Sequence, residues 1–490
     1  MKYRFEMNKD IIIIGGGITG LTIAYYLKKA GKDFLLLEKQ DRVGGVIKTN
    51  SENGFVFEEG PNTGVIGNAD VVDLFDDLAE KCMLEVASAN VNKRLVLKNG
   101  KWKPLPMGLW QAISTPLFTT YDKFRILGEP FRKAGNNPHE TLDDMVRRRM
   151  GNSFLDYAVD PFILGVYAGD PSMLVPKYAL PKLYNLEQDY GSFIKGSIKK
   201  GFKKKSEEEK KATRNVFSVE GGLSNLVNAL TDSIGNENII TGVENIKVKK
   251  YNDKPDSVAD LSAFDLKSSI KPDSVEDLSA FNKSENFIIK GLVHGKELTI
   301  NAKKVITTTG AYTLSDMLPF INKSDIQKIN SLHYTKVIEV AIGFRQWKGI
   351  PLDAFGGLIP HKEKRDILGA MFLSSLLSGR APEKGALVTV FIGGVRRQDL
   401  IGLNDNEIYN LVEREFRDLM QIPEFNPDLL KIIRHNYAIP QYSADSGERF
   451  ATVQKLENQF PGLIIGGNLR NGIGMADRIK QGKNLANSLM

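Results

Sequence analysis

The chain has 490 residues, and its 42% hydrophobic and 26% charged residues exclude a disordered, collagen-like or coiled-coil protein and suffice for several domain cores. The formal net charge is +7, of which +6 lies in residues 195–214, where nine Lys or Arg accompany three Glu. Because Phe202 is the only aromatic residue of that segment, nucleic-acid binding is not expected there, and a solvated loop or contact with an anionic membrane surface remain as alternatives.

The compartment and the metal content can be predicted from a few residue types. The single cysteine, Cys82, excludes an intrachain disulfide and fits a reducing compartment. The five histidines are scattered without a metal-ligand spacing, so we expect no metal. No apolar run approaches the roughly 18 residues of a membrane span, and the early run Ile11–Ile14 is too short for a signal peptide. We therefore expect a cytoplasmic protein whose membrane contact would be peripheral or monotopic.

The first predicted unit, in residues 10–38, consists of a strand, a glycine turn, a helix and a second strand. Ile11–Ile14 is a continuous β-branched run, typical of a parallel strand buried on both faces. Residues 18–30 carry apolar side chains at helical spacing and end at Gly31, and Phe34–Leu37 forms another buried strand. The pattern predicts a βαβ unit.

The glycine turn of this unit has the spacing of a dinucleotide-binding loop. Gly15, Gly17 and Gly20 fit G-x-G-x-x-G between a strand and a helix, where free N–H groups of the helix can bind a pyrophosphate. Glu38 ends the second strand, where a carboxylate can accept hydrogen bonds from ribose hydroxyls. We expect an adenine dinucleotide bound by Gly15, Gly16, Gly17, Ile18, Thr19, Gly20, Glu38 and Lys39.

Two further glycine motifs favour FAD over NAD. Arg42, Gly44 and Gly45 predict a second turn, where backbone can approach an extended cofactor and a guanidinium can offset phosphate charge. Near the C-terminus, a predicted strand leads through glycines into a last helix, whose N-terminus can face the polar edge of an isoalloxazine ring. The expected contacts of this second helix are Gly467, Asn468, Ile473, Gly474 and Met475.

The middle of the chain separates into a helical and a strand-rich part. Residues 90–215 contain apolar pieces punctuated by Gly and Pro, which predict an inserted, mainly helical region. Strand signals then return, most clearly at 334–345 and 386–394. A tandem repeat, 254–264 and 271–281, interrupts a predicted hairpin. Two copies are too few for a solenoid, so a duplicated surface loop is expected.

Five longer segments are distinctive, and among them GVYAGDP followed by LEQ-x-x-GS is more specific than any glycine motif. They are DRVGGVIKT (41–49), FEEGPNT (57–63), DPFILGVYAGDP (160–171), PKLYNLEQDYGSFIKG (181–196) and GIGMADRIKQGKNLA (472–486). With them the chain resembles the FAD-dependent protoporphyrinogen oxidases, within the amine-oxidase-like flavoproteins. The resemblance implies an α/β fold with α+β elements: a Rossmann-like FAD-binding domain assembled from discontinuous segments, a mixed-sheet substrate domain and an inserted helical membrane-docking region.

The resemblance also implies domain boundaries. The FAD-binding domain would take residues 1–85, 216–312 and 451–490, with the duplicated loop 252–286 inside its second part. The helical insertion, for membrane docking and substrate access, and the substrate-binding domain would take residues 86–215 and 313–450, respectively.

The activity implied by the resemblance is the six-electron oxidation of protoporphyrinogen IX to protoporphyrin IX in heme biosynthesis, with O2 reoxidising the flavin to give H2O2. No protein side chain is expected to act as a catalytic base, because flavin N5 accepts the hydride and the pyrrole N–H becomes acidic as the ring conjugates. FAD is expected to be noncovalent, since Cys82 is far in the sequence from the C-terminal flavin motif. Further FAD contacts implied by the resemblance are Gly60, Pro61, Asn62, Thr63 and Val243.

Substrate-binding residues are implied in the same way. Arg94 matches an arginine that faces a substrate propionate, which a guanidinium can bind through two hydrogen bonds. Leu358 and Phe372 match apolar residues that pack against the macrocycle, and without the resemblance both would be assigned to ordinary core. Ala168 and Gly169 would bring backbone close to the substrate.

Three other functions stay open. One is the same chemistry on coproporphyrinogen III, whose four propionates would need more cations. Another is a related FAD amine oxidase or desaturase, against which Val46 argues because many amine-oxidase-like flavoproteins have arginine there. The last is a non-catalytic flavin- or porphyrin-binding protein. The resemblance further implies an anionic membrane surface as partner, at the inner face of the cytoplasmic membrane, and a homodimer as the assembly.

Overall fold

The computed structural model describes residues 5–91, 93–106, 109–202, 204, 206–251 and 287–490. The duplicated loop 252–286 lies outside the described residues. Two seven-stranded sheets organise the described part of the chain, and a helical region covers one face of the second sheet.

The first sheet is built from three separate stretches of the chain. Its parallel centre contains the strand Phe5–Ile14, which pairs with Phe34–Leu37 on one side and with Lys296–Thr307 on the other. All residues of the apolar run in the first strand are at most 4% exposed, as expected for a parallel strand covered on both faces. The remaining strands of this sheet are Ile239–Ile240, Val243–Lys250, Phe287–Val293 and Leu463–Ile465.

The structure confirms several sequence predictions in this sheet. The helix Ile18–Lys29 follows the first strand and is succeeded by Gly31 at a φ of 65°. The strands Val243–Lys250 and Phe287–Val293 form the antiparallel hairpin that the duplicated loop was expected to interrupt. The last helix, Met475–Asn487, packs against the first helix so closely that a methyl group at Gly482 would lie 2.7 Å from Thr22 Cβ.

The second sheet is mixed and mainly antiparallel. In spatial order its strands are Leu429–His435, Val337–Phe344, Ala386–Gly393, Ile367–Met371, Gly356–Leu358, Arg94–Lys98 and Lys101–Pro104. The helix Asp405–Leu419 covers one face and shares an apolar core with the sheet.

The hairpin of Arg94–Lys98 and Lys101–Pro104 corrects one expected boundary. It falls in the range assigned to the helical insertion, but it pairs with Gly356–Leu358 in the second sheet. Asn99 and Gly100 adopt φ values of 51° and 70°, as a two-residue hairpin turn requires. The sequence Asn99-Gly100 between two apolar runs is typical of a hairpin turn, and it indicated strands in a range that was predicted to be helical.

The helical region lies between residues 109 and 211. Its helices are Leu109–Ser114, Thr120–Leu127, Leu142–Arg149, Asn152–Phe154, Asp160–Tyr167, Pro176–Ala179, Pro181–Tyr190, Phe193–Phe202 and Glu207–Lys211, with one wider turn at Leu155–Val159. A buried ionic network joins them, because Arg149 bonds both Glu129 and Glu187 at 2.6 Å and all three are 0% exposed. Removing one member would leave a buried charge uncompensated.

Smaller elements complete the fold. Two short sheets contain Lys48–Glu52 with Phe55–Glu59, and Gly64–Val65 and Leu84–Val86 with Val216–Val219. The other helices are Ala69–Asp77, Ser224–Ile234, Leu314–Met317, Lys323–Asn330, Leu373–Leu376 and Ser446–Gln459. Among the described residues, no helix is both long and apolar enough to cross a membrane.

Candidate functional site

The first glycine loop closes tightly between the first strand and the first helix. The Gly15 N–H donates to the Leu37 carbonyl at 2.8 Å, and a methyl group at Gly20 would stand 2.0 Å from the Gly15 carbonyl oxygen. At Gly17, by contrast, a methyl group would meet no atom within 4 Å. Gly17 caps the helix without a side-chain hydrogen bond, so no side chain blocks the positive helix end.

The second glycine turn packs directly on the first. The Gly44 N–H donates to the Gly16 carbonyl at 2.7 Å, and a methyl group at Gly45 would lie 3.3 Å from Gly17 Cα. Glu38 lies beneath both turns, is 9% exposed, and accepts a 2.6 Å hydrogen bond from the Gly16 N–H. Its other oxygen accepts from the Gln40 N–H at 2.8 Å. The Glu38 carboxylate, which is predicted to bind a ribose, is therefore held in a fixed orientation by two backbone N–H groups.

Arg42 has a structural role in the second glycine turn that the sequence did not predict. Its guanidinium donates to the carbonyls of Val43, Ile47 and Gly45, at 3.2, 3.0 and 2.7 Å. These bonds hold the second glycine turn in shape. The guanidinium remains cationic while it makes these bonds, so the predicted offset of phosphate charge stays a prediction.

The C-terminal glycine loop is held by buried polar side chains. The Gly467 N–H donates to Gln481 Oε1 at 2.8 Å, and the Gly467 carbonyl accepts from the Arg478 guanidinium. The Asn468 side-chain oxygen accepts from the Tyr334 hydroxyl at 2.9 Å, and its carbonyl accepts from the Tyr442 hydroxyl at 2.8 Å. Burial lowers the pKa of Arg478.

Ile473, Gly474 and Met475 lead into the last helix. Gly474 occupies the N-cap position and donates its N–H to Asp477 Oδ2 at 3.2 Å. Met475 is 8% exposed and belongs to the core below the first sheet, while Ile473 is half-buried. Backbone, more than side chains, is available for a ligand at this helix end.

Thr308 and Thr309 connect the N-terminal and C-terminal loops in space. A methyl group at Gly15 would lie 2.8 Å from Thr308 Oγ1, and one at Gly467 would lie 3.0 Å from the Thr309 carbonyl oxygen. All three glycine turns therefore meet at the carboxyl ends of the parallel strands, where open α/β sheets bind ligands. The two backbone turns, the uncapped helix and the oriented carboxylate fit an extended adenine dinucleotide.

The loop Gly60–Thr63 is fixed from the second sheet by a residue that the sequence reasoning missed. Glu339 accepts from the Gly60 N–H at 2.9 Å and from Asn62 Nδ2 at 2.6 Å. Asn62 is 4% exposed, whereas Pro61 and Thr63 are half-buried. The signal was present as a lone carboxylate inside the otherwise apolar strand VIEVAIGF.

Val243 and Lys39 are both neighbours of Glu38 but differ in burial. The Val243 N–H donates to the Glu38 carbonyl at 2.9 Å, and its side chain is 1% exposed. Lys39 is exposed. Of the two predicted cofactor contacts, Val243 can therefore offer mainly its backbone.

Arg94 has the properties of an anion-binding residue. It is half-buried, and its guanidinium lies 5.2 Å from the centre of the Phe355 ring. Burial lowers the pKa of this guanidinium. In the part of the chain that the structure describes, it makes no ion pair with an acidic side chain. A partly desolvated cation of this kind favours a carboxylate ligand.

Leu358 shares a face of the second sheet with Arg94. The two strands are parallel with Gly356 beside Arg94, and residues two apart in a strand point to the same side. Leu358 reaches the helix Asp160–Tyr167, because a methyl group at Gly165 would lie 2.5 Å from Leu358 Cδ2. The face therefore combines a cation, an apolar wall and a glycine without a side chain.

Ala168 and Gly169 form a clamped bend after that helix. Ala168 has a φ of 46°, is 3% exposed, and accepts a 2.8 Å hydrogen bond from the Val395 N–H. A methyl group at Gly169 would lie 2.4 Å from Gln441 Oε1. The structure thus explains the small residues by packing within the protein; their predicted approach to a substrate stays a prediction.

The bend is tied to the second sheet by Arg396. Its guanidinium donates to both oxygens of Asp170, at 2.7 and 2.8 Å, and also bonds Asp160. Burial by itself raises the pKa of Asp170, but the hydrogen bonds from Arg396 and Ser172 outweigh it and lower the pKa to about 2.

Phe372 corrects a predicted substrate contact. Its side chain is 0% exposed and packs in the core shared by the second sheet and the helix Asp405–Leu419. A side chain without accessible surface cannot contact a ligand in this conformation. The core interpretation of Phe372 is therefore the right one.

Cys82 is 4% exposed, and burial raises its thiol pKa to about 11. This makes it a poor nucleophile at neutral pH. Within the described residues, no cluster of His, Cys, Asp and Glu has the arrangement of a metal site.

The fold and the three converging glycine turns define a dinucleotide-binding α/β protein. Residues 18–490 match the family model of flavin containing amine oxidoreductases. The chain belongs to the flavin-containing amine oxidoreductase family, which confirms the resemblance found in the sequence motifs and implies a flavin cofactor. It is a flavin-dependent oxidoreductase.

Several curated proteins are similar to this chain over most of its length, and solved structures share its fold. Protoporphyrinogen oxidase 2 of Arabidopsis thaliana is 28% identical over 500 residues, 97% of this chain and 92% of that protein. Coproporphyrinogen III oxidase of Bacillus subtilis (strain 168) is 26% identical over 497 residues, covering 97% and 96%. The reduced UDP-galactopyranose mutase structure has a TM-score of 0.69 at 16% identity, covering 98% and 95%. A proposed protoporphyrinogen oxidase from Exiguobacterium sp. 255-15 has a TM-score of 0.75 at 20% identity, covering 98% of each chain.

Proposed function

We propose that the protein binds FAD noncovalently and oxidises protoporphyrinogen IX to protoporphyrin IX, passing six hydrogen atoms to three O2 to form three H2O2. The observation that carries the proposal is the half-buried Arg94 without an acidic partner in the described chain, on the same sheet face as Leu358. An apolar macrocycle with propionates needs this combination of wall and cation. Similarity to protoporphyrinogen oxidases supports the same substrate class.

Bound FAD would supply the hydride acceptor. The glycine turns at 15–20 and 44–45 would hold its pyrophosphate by backbone N–H groups, and Glu38 its ribose. Arg94 would bind one propionate through a bidentate contact and so orient the macrocycle. Leu358 would exclude water from the apolar part of the ring.

Lys98, the other cation on the strand of Arg94, is engaged within the protein. We infer that the site has few free cations among the described residues, which favours a substrate with two propionates over one with four. Lys98 Nζ donates to the carbonyls of Pro116 and Leu117, both at 2.8 Å, and lies 4.6 Å from the centre of the Tyr157 ring. Its hydrogen bonds are thus directed to the protein itself. This supports protoporphyrinogen over coproporphyrinogen, although a coproporphyrinogen III oxidase is also similar to the chain.

The substrate proposal is tested with purified protein and both porphyrinogens, in air and without oxygen. Porphyrin fluorescence should rise faster than autoxidation, with protoporphyrinogen turned over faster. Faster turnover of coproporphyrinogen would overturn the substrate choice. No gain with either porphyrinogen would overturn the oxidase proposal, and bleaching of the flavin by an amine instead would favour an amine oxidase.

We further propose an anionic membrane surface, at the inner face of the cytoplasmic membrane, as the partner of the helical region. Large apolar side chains are exposed on the helices Thr120–Leu127 and Phe193–Phe202 and on the short 3-10 turn Glu129–Phe131 that contacts both. Phe131 is 87% exposed and Phe202 is 85% exposed. Contiguous exposed apolar side chains of this size are typical of interaction surfaces. Together these residues form the docking surface: Tyr121, Phe124, Leu127, Phe131, Ile198 and Phe202.

Basic side chains border the docking surface. Lys195 Nζ lies 5.6 Å from the centre of the Phe131 ring, and Lys199 and Lys200 lie over Tyr190. Farther along, Lys211 is paired with Asp73 at 2.6 Å. The first three lysines therefore have the better placement for anionic lipid headgroups, at about 1 kcal/mol each.

Sedimentation with vesicles tests this partner. Phe131→Ser with Phe202→Ser should weaken binding to phosphatidylglycerol vesicles while FAD content is kept. Met83→Ser, a change at a 60% exposed apolar residue outside the helical region, is the matched control. Deletion of residues 199–211 should likewise weaken binding and spare FAD; equal vesicle binding by all variants would overturn the surface. The homodimer stays a prediction, to be tested by light scattering.

A further inference from the structure

Glu339 is an unusual residue for its position. It is 0% exposed in the strand Val337–Phe344, whose other residues are apolar or glycine and all buried. A buried carboxylate is tolerated only when its oxygens are hydrogen-bonded. Both oxygens of Glu339 are, because Oε1 accepts from Asn62 Nδ2 at 2.6 Å and Oε2 accepts from the Gly60 N–H at 2.9 Å.

Two further side chains, His435 and Thr389, extend the hydrogen-bond network of Glu339 and Asn62. His435 Nε2 lies 3.2 Å from Glu339 Oε2, on the adjoining strand Leu429–His435. The Thr389 hydroxyl donates to Asn62 Oδ1 at 3.3 Å. The Asn62 amide is therefore bonded at both ends, with its nitrogen toward Glu339 and its oxygen toward Thr389, so that its orientation is specified from the second sheet.

The loop held in this way has little freedom. Gly60 has a φ of 101°, and a methyl group there would lie 2.4 Å from the Val46 carbonyl oxygen. Val46 directly follows the glycine turn Gly44–Gly45. Glu339, in the second sheet, therefore holds by hydrogen bonds a loop that packs on the glycine turn assigned to the cofactor.

We propose that Glu339, with His435 behind it, is a positioning residue that presets the loop Gly60–Thr63 for FAD. This inference rests on the proposed cofactor site. The carboxylate acts through the Gly60 N–H and the Asn62 amide, and it couples the second sheet to the cofactor side of the molecule.

Glu339→Gln provides the test, because it keeps the size of the side chain but turns one acceptor into a donor facing the Gly60 N–H or His435. Losing the acceptor for one backbone donor should raise the FAD dissociation constant about tenfold. Glu415→Gln is the matched control, a change at a carboxylate that is 3% exposed on the helix Asp405–Leu419. Glu415 bonds the Asp366 N–H and pairs with Arg365, away from the loop. It should leave FAD affinity unchanged.

A purely structural role is distinguished by measuring FAD affinity by calorimetry together with the thermal midpoint of the apoprotein. A structural role would lower the apoprotein midpoint and leave the dissociation constant as in wild type, which would overturn the proposal. Positioning predicts that the midpoint gained on adding FAD shrinks as well. Because the carboxylate acts through Asn62 and Gly60, Glu339→Gln and Asn62→Ala should also be non-additive in FAD affinity.

Should Glu339→Gln fail to fold, Thr389→Val provides a milder variant from the other end of the Asn62 amide. It should weaken FAD binding about threefold, as expected for a neutral hydrogen bond. Wild-type affinity in Thr389→Val would then overturn the inference. Absence of FAD binding by the wild-type protein would overturn the cofactor proposal itself, whereas wild-type binding with equal affinity in Glu339→Gln would overturn only the positioning role.

Discussion

The cofactor edge of the first sheet and the Arg94 face of the second sheet are built on different principles. At the cofactor edge the surface consists mainly of backbone, and glycine is required because carbonyls and N–H groups approach one another closely. On the Arg94 face, the proposed substrate site consists of side chains, chiefly the Arg94 guanidinium and Leu358. A site made of backbone is visible as a spacing of glycines, whereas a site made of side chains depends on which faces the fold brings together.

The largest effect expected at the cofactor edge separates two glycines of the same loop. Gly20→Ala should destabilise the apoprotein by about 3 kcal/mol, because the methyl group meets the Gly15 carbonyl. Gly17→Ala should leave the apoprotein stability unchanged, since the space there is open, and weaken FAD binding about a hundredfold. Urea unfolding and FAD titration measure the two quantities. Equal behaviour of both variants would contradict this division of roles.

The corresponding change on the other face is Arg94→Ala. We expect KM for protoporphyrinogen to rise at least about tenfold, from loss of a charge-assisted bidentate contact, with FAD content and kcat retained. Arg94→Lys should recover only part of the effect, because an ammonium lacks the planar pair of donors. Steady-state fluorescence assays decide the matter, and unchanged kinetics in Arg94→Ala would remove this residue from the site.

The clamp on the bend should show itself in the pH dependence of stability. Asp170→Asn should lower the free energy of unfolding by about 1 to 2 kcal/mol at neutral pH, since it loses a charge-assisted pair with Arg396 that is only half-buried. The folded pKa of about 2 lies below the ordinary value of 3.8. The stabilisation is therefore complete above about pH 4 and disappears as the pH falls toward 2. A difference between the two proteins that persists undiminished at pH 2 would contradict the clamp.

The smallest effect is expected at Phe372, which was predicted to contact the substrate and lies in the core of the structure. Phe372→Leu should lower the free energy of unfolding by about 1 kcal/mol, as for a core substitution that changes shape and volume. KM for the porphyrinogen should be unchanged. A raised KM with intact stability would return Phe372 to the substrate site.

The sequence predicted the order of elements in the first βαβ unit, although the first strand begins at Phe5, earlier than the predicted Ile11. The strand Phe34–Leu37 and the start of the first helix agree with the structure, because buried parallel strands are continuously apolar and glycines mark the turns. The hairpin at Arg94 was placed in the wrong unit, since its partner strand, Gly356–Leu358, is far away in the chain. Local pattern carries no information about such a pairing.

The candidate site divides in the same way. Spacing alone placed Gly15, Gly17, Gly20 and Glu38 together at one strand end, because their geometry is local to one βαβ unit. Arg42 was assigned correctly to the turn but not to its carbonyl partners. Glu339 was missed, because a lone carboxylate in an apolar strand becomes meaningful only when Gly60 and Asn62 are seen beside it.

By itself, the sequence determined that the chain begins with a dinucleotide-binding βαβ unit, that it carries three glycine turns and that it resembles a flavoprotein family. Only the tertiary structure decided that Phe372 is core, that Arg94 shares a face with Leu358, and that Glu339 fixes the loop at Gly60. The physical reason is range. Turn and helix chemistry depends on residues a few positions apart, whereas burial and hydrogen-bond partners depend on segments hundreds of residues apart that meet only after folding.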